Sequence, residues 1–592
     1  MNSNKYRNHL SNEISLKNIG KKVKVAGWVF RIREHSNLTF IDLKDNMGIV
    51  QILFDDSFKI KLKKLKLESV ILVEGEVIKR DQTHINKNLE SGEIEIKAIE
   101  LTIESLSLNL PFNINIEQKI PEDLRLKNRF LDLRREKIHE KIILRSQIVS
   151  QIRKMMEKEG FIEIQTPILT SASPEGAKDF LVASSLHPGK FYALPQAPQQ
   201  FKQLLMMSRF DKYFQIAPCF RDEASRADRS PGEFYQLDIE MSFVEQEDVF
   251  NVLEPIIYDL FKKFSTKKIH TYPFPRITYD QALEKYATDK PDLRNPIILS
   301  DVTNIFEKSS FELFKKQIFL GSKVKAIPAP KAVIKKSRKF PIYMEEFAKT
   351  ESASGLGYIQ ISDGEFKGPL CKFLSKEQLE SIKKQNNLLD GDMIFFLCEK
   401  GKKLFNIASK VRNEIGKELE LIKEDEFAFA WITDFYLYEL NEENGKIEFS
   451  HNPFSMPQID IETLSKYKKH DKKLLDIKAF QYDIVCNGIE LSSGAIRNHK
   501  IDLFYKLFNL IGYENSHVDE NFPALSNALK YGPPPHGGIA PGIDRMIMLL
   551  TDEKNLREII AFPMNQNAED MLMQAPNNAS KERLKELHLK IT

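Results

Sequence analysis

The sequence predicts an α+β protein of several domains: a small β-barrel first, a larger mixed domain after it, and an α/β insertion interrupting the larger domain. Three observations predict it. At 592 residues the chain is too long for one core and implies about three to five domains. Five strand-like runs precede residue 104, and beyond residue 137 helical periodicity alternates with extended runs. Residue types suited to catalysis cluster before residue 300 and again after residue 426, so the stretch between them reads as inserted.

The barrel is assigned to 1–108. Strand-like alternation runs over 23–30, 38–44, 48–54, 70–78 and 93–103, with a helical 58–67 segment before the fourth run. Five antiparallel strands with a helix at that place favour an OB-fold, although any small β-barrel has nearly the same pattern. Trp28 is assigned to the core. The lysine run from Lys59 to Lys66 reads as a solvated charged face, with RNA-backbone contact as the alternative.

Residues 109–136 are polar and basic without a sustained period, and are read as a hinge. Ile142, Ile143, Ile148, Val149, Ile152, Met155 and Met156 then form an apolar face at helical spacing, which Gly160 closes before an extended run to Pro167. This first part of the large domain extends over 137–300. The insertion covers 301–425, Lys- and Phe-rich with glycines between 352 and 368, and its function is not readable. The second part covers 426–565, and 566–592 is a C-terminal extension. No internal repeat is visible.

Hydrophobic residues at 42% and charged residues at 29% fit ordinary packed cores. The first ten residues are polar and no apolar run approaches the roughly 18 residues a bilayer span needs, so a cytoplasmic protein without membrane contact is expected. Cys219, Cys371, Cys398 and Cys486 have no paired spacing suited to a disulfide framework or zinc. A net charge of +3 does not announce a nucleic-acid binder, and DNA is not expected as a partner.

Two blocks carry chemistry. Residues 220–223, an Arg-rich stretch through Arg229, and residues 233–240 read as strand, loop, strand. Alternation puts Phe234, Gln236, Asp238 and Glu240 on one face, a polar floor foreign to an ordinary core; for any single one of them, a solvent-facing strand is the commoner reading. Near the end, residues 537–545 lead into the apolar helix of 546–550. Backbone amides at that helix start can receive phosphate, with Arg545 adding a charge-assisted bond, while glycines before a helix are more often simple turn residues.

Together, residues 160–167, 220–240 and 537–545 resemble motifs 1, 2 and 3 of the class II aminoacyl-tRNA synthetases, in the family's order. Residues 173–179, 194–202, 289–294 and 487–497 narrow the resemblance to the bacterial aspartyl enzymes, and it runs from about residue 15 to 576. It implies a catalytic domain built on an antiparallel sheet with helices, a GAD-like insertion, and a ligase that activates L-aspartate with ATP and Mg2+ and transfers it to tRNA. The catalytic roles fall to Arg221, on the α-phosphate, and Arg545, on the γ-phosphate. Phe234 stacks on adenine, and Asp222, Glu223, Glu490, Gly542, Ile543 and Asp544 complete the ATP contacts. Asp483 and Glu490 bind Mg2+ with ATP phosphates. For aspartate, Lys202 and Arg497 meet the side-chain carboxylate; Glu175, Gln199 and Asp238 surround the ammonium group; Arg221 also contacts the amino acid, and His451 closes over it. Ala197 and Asn452 depart from the family's frequent Ser and His, each removing one polar contact.

The resemblance also makes the barrel an anticodon-binding domain, with Phe40 stacking and Gln51, Arg80 and Glu95 reading bases. His35 and Thr83 are similar to members that charge both tRNA(Asp) and tRNA(Asn), rather than to strict ones, which carry Leu and Lys there. A homodimer through the motif 1 helix and strand is implied. Rival readings are a strict enzyme for tRNA(Asp), an asparaginyl or lysyl synthetase, and a catalytically idle RNA-binding scaffold. The insertion and residues 289–294 oppose the second; joint retention of Arg221, Glu490, Arg497 and Arg545 opposes the third.

Overall fold

The computed structural model describes residues 4–172, 178–223 and 232–591. The chain divides into two compact units, Met1–Glu136 and Lys137–Thr592.

The first unit is built on a closed barrel of β1 (Lys22–His35), β2 (Leu38–Lys44), β3 (Ile49–Phe54), β4 (Val70–Lys79) and β5 (Ile94–Ser105), ordered β1-β2-β3-β5-β4. The sequence pattern suggested antiparallel pairing throughout, but a closed ring with an odd number of strands cannot alternate direction everywhere. The parallel pair falls between β3 and β5, with Ile52 opposite Ile96. Strand β1 runs past the predicted boundary because its hairpin with β2 keeps pairing to His35 opposite Leu38, beyond the apolar core that periodicity detects. Trp28 is not core: it lies on the outward phase between buried Gly27 and Val29, is 37% exposed, and carries the Arg134 guanidinium 5.3 Å from its ring. The helical segment predicted over 58–67 is a 3-10 turn, Asp56–Phe58, and one helical turn, Lys59–Leu62, with Leu65 buried beneath the exposed lysines.

The stretch read as a hinge is ordered by charge instead of periodicity. Helices Glu122–Lys127 and Arg129–Asp132 surround a small cluster of Phe112, Ile114 and Leu131. Buried Asp132 accepts from Arg125, Arg129 (2.5 Å) and Arg135 (3.1 Å). Burial opposes ionisation of this carboxyl, but the arginines outweigh it and hold it below the usual range.

The second unit centres on an eight-stranded sheet. Its order is Arg276–Thr278, Phe429–Thr433, Gln481–Cys486, Ile489–Ile496, His536–Ile539, Gly232–Ser242, Lys212–Arg221 and Ile162–Glu163, with parallel pairs only at the two edges. Helices Glu136–Lys158, Gln246–Phe264 and Ile543–Leu550 contribute to the core on this sheet, packing Ile148, Ile152, Phe250 and Ile547 with Leu237, Ile239 and Trp431. Inside that core Glu254 accepts from the Phe274 amide (2.8 Å), Arg276 (2.6 Å) and the Trp431 indole (2.9 Å), so a buried carboxylate is satisfied on all sides.

The stretch read as an insertion carries a five-stranded sheet, Ser300–Asp301, Lys323–Ala329, Met393–Glu399, Gly357–Ser362 and Glu365–Lys367, with helices that include Phe340–Thr350, Lys376–Gln385 and Gly401–Glu418. All its strand pairs are antiparallel, so the segment combines helices with an antiparallel sheet and lacks the parallel crossovers that "α/β" implies. The C-terminal extension holds a short exposed helix, Lys581–Glu586, capped by Ser580. Among the described residues, no helix is long and apolar enough to cross a membrane.

Candidate active site

The Gly232–Ser242 strand sends Leu237, Ile239 and Met241 into the core and Phe234, Gln236 and Asp238 toward a cavity of about 510 Å³ above the opposite face. Glu240 shares that phase and is fully buried beneath it. The cavity is bounded by Lys202 from helix Gln199–Met207, Arg221 at the end of Lys212–Arg221, Asp483 and Glu490 from a neighbouring hairpin, Arg497, and Arg545 on helix Ile543–Leu550.

Its floor is an ion network. Lys202 donates to Asp238 Oδ1 at 2.6 Å and lies 3.3 Å from Glu240 Oε2. Arg497 grips Glu240 with two parallel bonds, Nε to Oε1 at 2.9 Å and Nη2 to Oε2 at 3.1 Å. Burial opposes ionisation of Glu240, but Arg497 and then Lys202 outweigh it and hold the carboxyl below its usual range. Asp238 is pushed up by burial that Lys202 only partly offsets, and among the described residues its Oδ2 accepts no hydrogen bond of good geometry. Gln199 Nε2 is likewise buried with no hydrogen-bond partner among the described residues. Gly538, opposite Glu240, leaves space for this arrangement: a Cβ there would lie 2.1 Å from the Ile239 carbonyl and 2.2 Å from Glu240 Oε2.

At the other end of the cavity, the Arg221 guanidinium lies 4.9 Å over the Phe234 ring, and its buried Nε has no hydrogen-bond partner among the described residues. Arg545 donates from Nη1 to the Glu490 carbonyl at 2.6 Å. Asp483 accepts from Ser493 Oγ at 2.6 Å, and the same hydroxyl lies 3.3 Å from Glu490 Oε1. Burial, with Glu490 beside it, pushes the Asp483 carboxyl up, whereas Lys290, 2.9 Å from Glu490 Oε2, overcomes burial and holds Glu490 down. His451 also lines the cavity, with its ring edge-on to Phe435 at 5.2 Å; the residue as a whole is exposed, yet the protein packed around the ring lowers its basicity.

The structure therefore brings together Gln199, Lys202, Arg221, Phe234, Asp238, His451, Asp483, Glu490, Arg497, Gly542, Asp544 and Arg545, along with Ala197 and Asn452. Three other residues behave differently. Asp222 is exposed outside the cavity lining, with its amide on the Lys178 carbonyl. Glu223 also lies outside that lining. The Ile543 side chain belongs to the core, so only its backbone can reach a ligand. Asp544 borders the cavity but is held as a brace, paired to Arg145 and accepting the Tyr235 amide at 3.1 Å. Glu175 lies outside the described residues.

Sequence reasoning put Glu240 on the polar face without a role, and missed Ser493 and Lys290. The two-residue period already aligned Glu240 with Asp238, while Ser493 and Lys290 gave no signal beyond belonging to segments that resemble the family.

On the barrel, Gln51 donates to Glu95 at 2.6 Å and accepts from Arg33 at 2.9 Å. Arg80 donates from Nε to the Ile94 carbonyl at 2.8 Å, and its buried Nη2 has no hydrogen-bond partner among the described residues; burial lowers its basicity against the pull of Glu95 and Asp42. Phe40 is half-buried on β2. His35 and Thr83 are exposed, the first at the β1–β2 hairpin and the second in the Gln82–His84 turn.

A barrel joined to a mixed helix–sheet domain with this polar cavity is the architecture of a class II synthetase with an OB-fold domain. Residues 121–566 match the family "tRNA synthetases class II (D, K and N)", residues 23–104 match "OB-fold nucleic acid binding domain", and the chain belongs to that synthetase family. It is 58% identical over 592 residues to the Aspartate--tRNA(Asp/Asn) ligase of Rickettsia felis, covering 99% of this chain and 98% of that one. The enzyme of the same name from Rickettsia canadensis is 59% identical over 588 residues, covering 98% and 97%. Among solved structures, asparaginyl-tRNA synthetase from Pyrococcus horikoshii complexed with asparaginyl-adenylate aligns with a TM-score of 0.54 at 18% identity, covering 93% of this chain and 96% of that one. Aspartyl tRNA synthetase from Entamoeba histolytica aligns at 0.53 and 18%, covering 93% and 89%; at such identities the likeness concerns the fold.

Proposed function

We infer that the chain is an ATP-dependent ligase that joins L-aspartate to tRNA through an aspartyl-adenylate, charging both tRNA(Asp) and tRNA(Asn). The observation that carries this is the Lys202–Asp238–Glu240–Arg497 network. It presents two cations and a buried carboxylate, Asp238, whose Oδ2 accepts no hydrogen bond of good geometry among the described residues, in one cavity. A dicarboxylic amino acid has the complementary groups: a side-chain carboxylate for Lys202 and Arg497, and an ammonium for Asp238 with Gln199. Asparagine in the same place offers those donors a neutral amide instead of a carboxylate, and sites built on such pairing discriminate strongly.

In the first step the aspartate α-carboxylate attacks the α-phosphorus of ATP and pyrophosphate leaves. In the second, the terminal 3′-hydroxyl of tRNA attacks the activated carbonyl and AMP leaves. Positioning and cationic stabilisation of phosphate oxygens are the main demands. Arg221 meets them at the α-phosphate and Arg545 at the γ-phosphate, while the Phe234 face receives adenine. Asp483 and Glu490 offer only hard oxygen donors, bridged by Ser493, which suits magnesium. Among the described residues no cluster of three or more acidic, His or Cys ligands exists, so an ion held by Asp483 and Glu490 would take its remaining ligands from outside the protein, as the phosphates of ATP would supply. Bound there, the ion neutralises charge on the phosphates.

The barrel face of Phe40, Gln51, Arg80 and Glu95 is the anticodon reader in this reading, with exposed His35 and Thr83 setting tolerance for tRNA(Asn). The names of the Rickettsia relatives support that double specificity. A homodimer is supported by apolar residues left open along motif 1, Ile143 at 44%, Ile162 at 52% and Leu169 at 53% exposed, beside the edge strand Ile162–Glu163.

The test is aminoacylation with radiolabelled aspartate, ATP and Mg2+ on separate tRNA(Asp) and tRNA(Asn) transcripts. Both are expected to be charged. Charging of tRNA(Asp) alone would remove the double specificity, and charging of neither would remove the ligase.

A further inference from the structure

Lys290 reaches the Asp483–Glu490 pair from a loop to which no site role has been given. Its Nζ lies 2.9 Å from Glu490 Oε2 and 3.8 Å from Asp289 Oδ2. That loop is held from two sides. On one side is the Asn487–Gly488 turn, between the strands that carry Asp483 and Glu490; a Cβ on Gly488 would meet Asp292 Cβ at 3.6 Å and the Lys290 carbonyl oxygen at 3.9 Å. On the other side is Arg412, 1% exposed on helix Gly401–Glu418 of the insertion. It donates from Nη2 to the carbonyls of Asp292 (3.1 Å) and Asn295 (2.7 Å), and from Nε to that of Ile297 (2.7 Å).

Asn295 Nδ2 returns a bond to the Arg412 carbonyl at 3.0 Å. Gly416 makes room for it, since a Cβ there would lie 2.3 Å from that nitrogen. Among the described residues no carboxylate pairs with Arg412, so the guanidinium is committed chiefly to fixing the backbone of this loop. The loop in turn delivers one ammonium to one carboxylate of the pair assigned to magnesium. An ammonium and a divalent ion cannot share the same carboxylate oxygens without strong repulsion.

We propose that Lys290 is a positioning residue acting as an internal counter-cation: it neutralises Glu490 while the nucleotide site is empty, withdraws before a divalent ion can share Glu490 with Asp483, and is kept in place by the Arg412 clamp of the insertion. The proposal rests on the reading of Asp483 and Glu490 as the magnesium pair. It gives the insertion a part in setting the metal requirement of a site to which it contributes no ligand.

The experiment is Mn2+ titration of the full chain by electron paramagnetic resonance, without nucleotide and with ATP, with thermal melting to verify folding. Lys290→Met is expected to bind Mn2+ without nucleotide at least fivefold more tightly than wild type, Lys290→Arg to restore the wild-type value, and Arg412→Lys to move toward Lys290→Met. If Glu490→Gln weakens Mn2+ binding while Lys290→Met leaves it unchanged or weaker, the counter-cation is refuted and the carboxylate pair stands. If Glu490→Gln changes nothing with or without ATP, both fall; if neither wild type nor Lys290→Met binds Mn2+ at millimolar concentration without nucleotide, the counter-cation is refuted. Wild-type affinity in Arg412→Lys refutes the clamp.

Discussion

Arg497 and Glu240 form a bidentate pair at 2.9 and 3.1 Å, with neither side chain more than 3% exposed. Lys202 shares the same carboxylate at 3.3 Å, so Glu240 sets the geometry of both cations assigned to the substrate carboxylate.

Glu240→Gln is therefore expected to raise the KM for aspartate in ATP–pyrophosphate exchange by ~10-fold or more, with the KM for ATP little changed, because it leaves two buried cations short of one charge. Stability should fall by about 3 kcal/mol. The Glu240 carboxyl is held below its usual 4.5, so the stability it adds is present above that pH and lost as pH falls through the folded value. Melting curves of the two proteins should accordingly differ most above pH 4.5 and converge below it. A gap that widens in acid would contradict this.

Asp483→Asn should have opposite effects on stability and activity. Burial and Glu490 raise this carboxyl above its usual 3.8, so ionising it costs stability as pH rises from that value through the folded one. At neutral pH the variant is expected to be more stable to unfolding than wild type, the gain vanishing below pH 3.8, while it loses magnesium-dependent ATP binding. Denaturant melts at several pH values and ATP calorimetry check the two halves separately.

Arg545→Ala removes a cation and the 2.6 Å bond to the Glu490 carbonyl. The KM for ATP should rise ~10-fold or more, as expected for a charge-assisted bond of about 1.5–3 kcal/mol, while aspartate binding in the absence of ATP stays near wild type. Equal losses for both substrates would mean that the arginine organises the whole cavity.

His35→Leu with Thr83→Lys alters two exposed positions, so melting should be unchanged. Charging of tRNA(Asn) is expected to fall ~10-fold in kcat/KM, equivalent to about 1.4 kcal/mol, with tRNA(Asp) within about twofold. Parallel losses on both transcripts would assign these residues to general RNA affinity.

What could be read in advance depended on range. Alternation along 233–240 placed Gln236 and Asp238 on the cavity side because a strand repeats every two residues, and the barrel strands were visible for the same reason. The same period placed Trp28 outward, and the expectation that a tryptophan is core overrode it. The hinge helices were missed because three arginines around Asp132 order them, without an apolar repeat. Lys290 and Arg412 were silent because each acts on a partner far away in the chain. Local patterns carry no trace of that pairing.

The His536–Ile539 strand lies between two leaves of the large sheet, one built from residues 162–242 and the other from strands between 276 and 496. Lys202, Asp238 and Glu240 belong to the first leaf and Asp483, Glu490 and Arg497 to the second. In chain order both half-sites precede the strand that joins them, so the Glu240–Arg497 pair spans a seam that only residues 536–539 close. Assembly of the cavity is thus a late, long-range folding event, and a chain that stops short of this strand carries two incomplete halves.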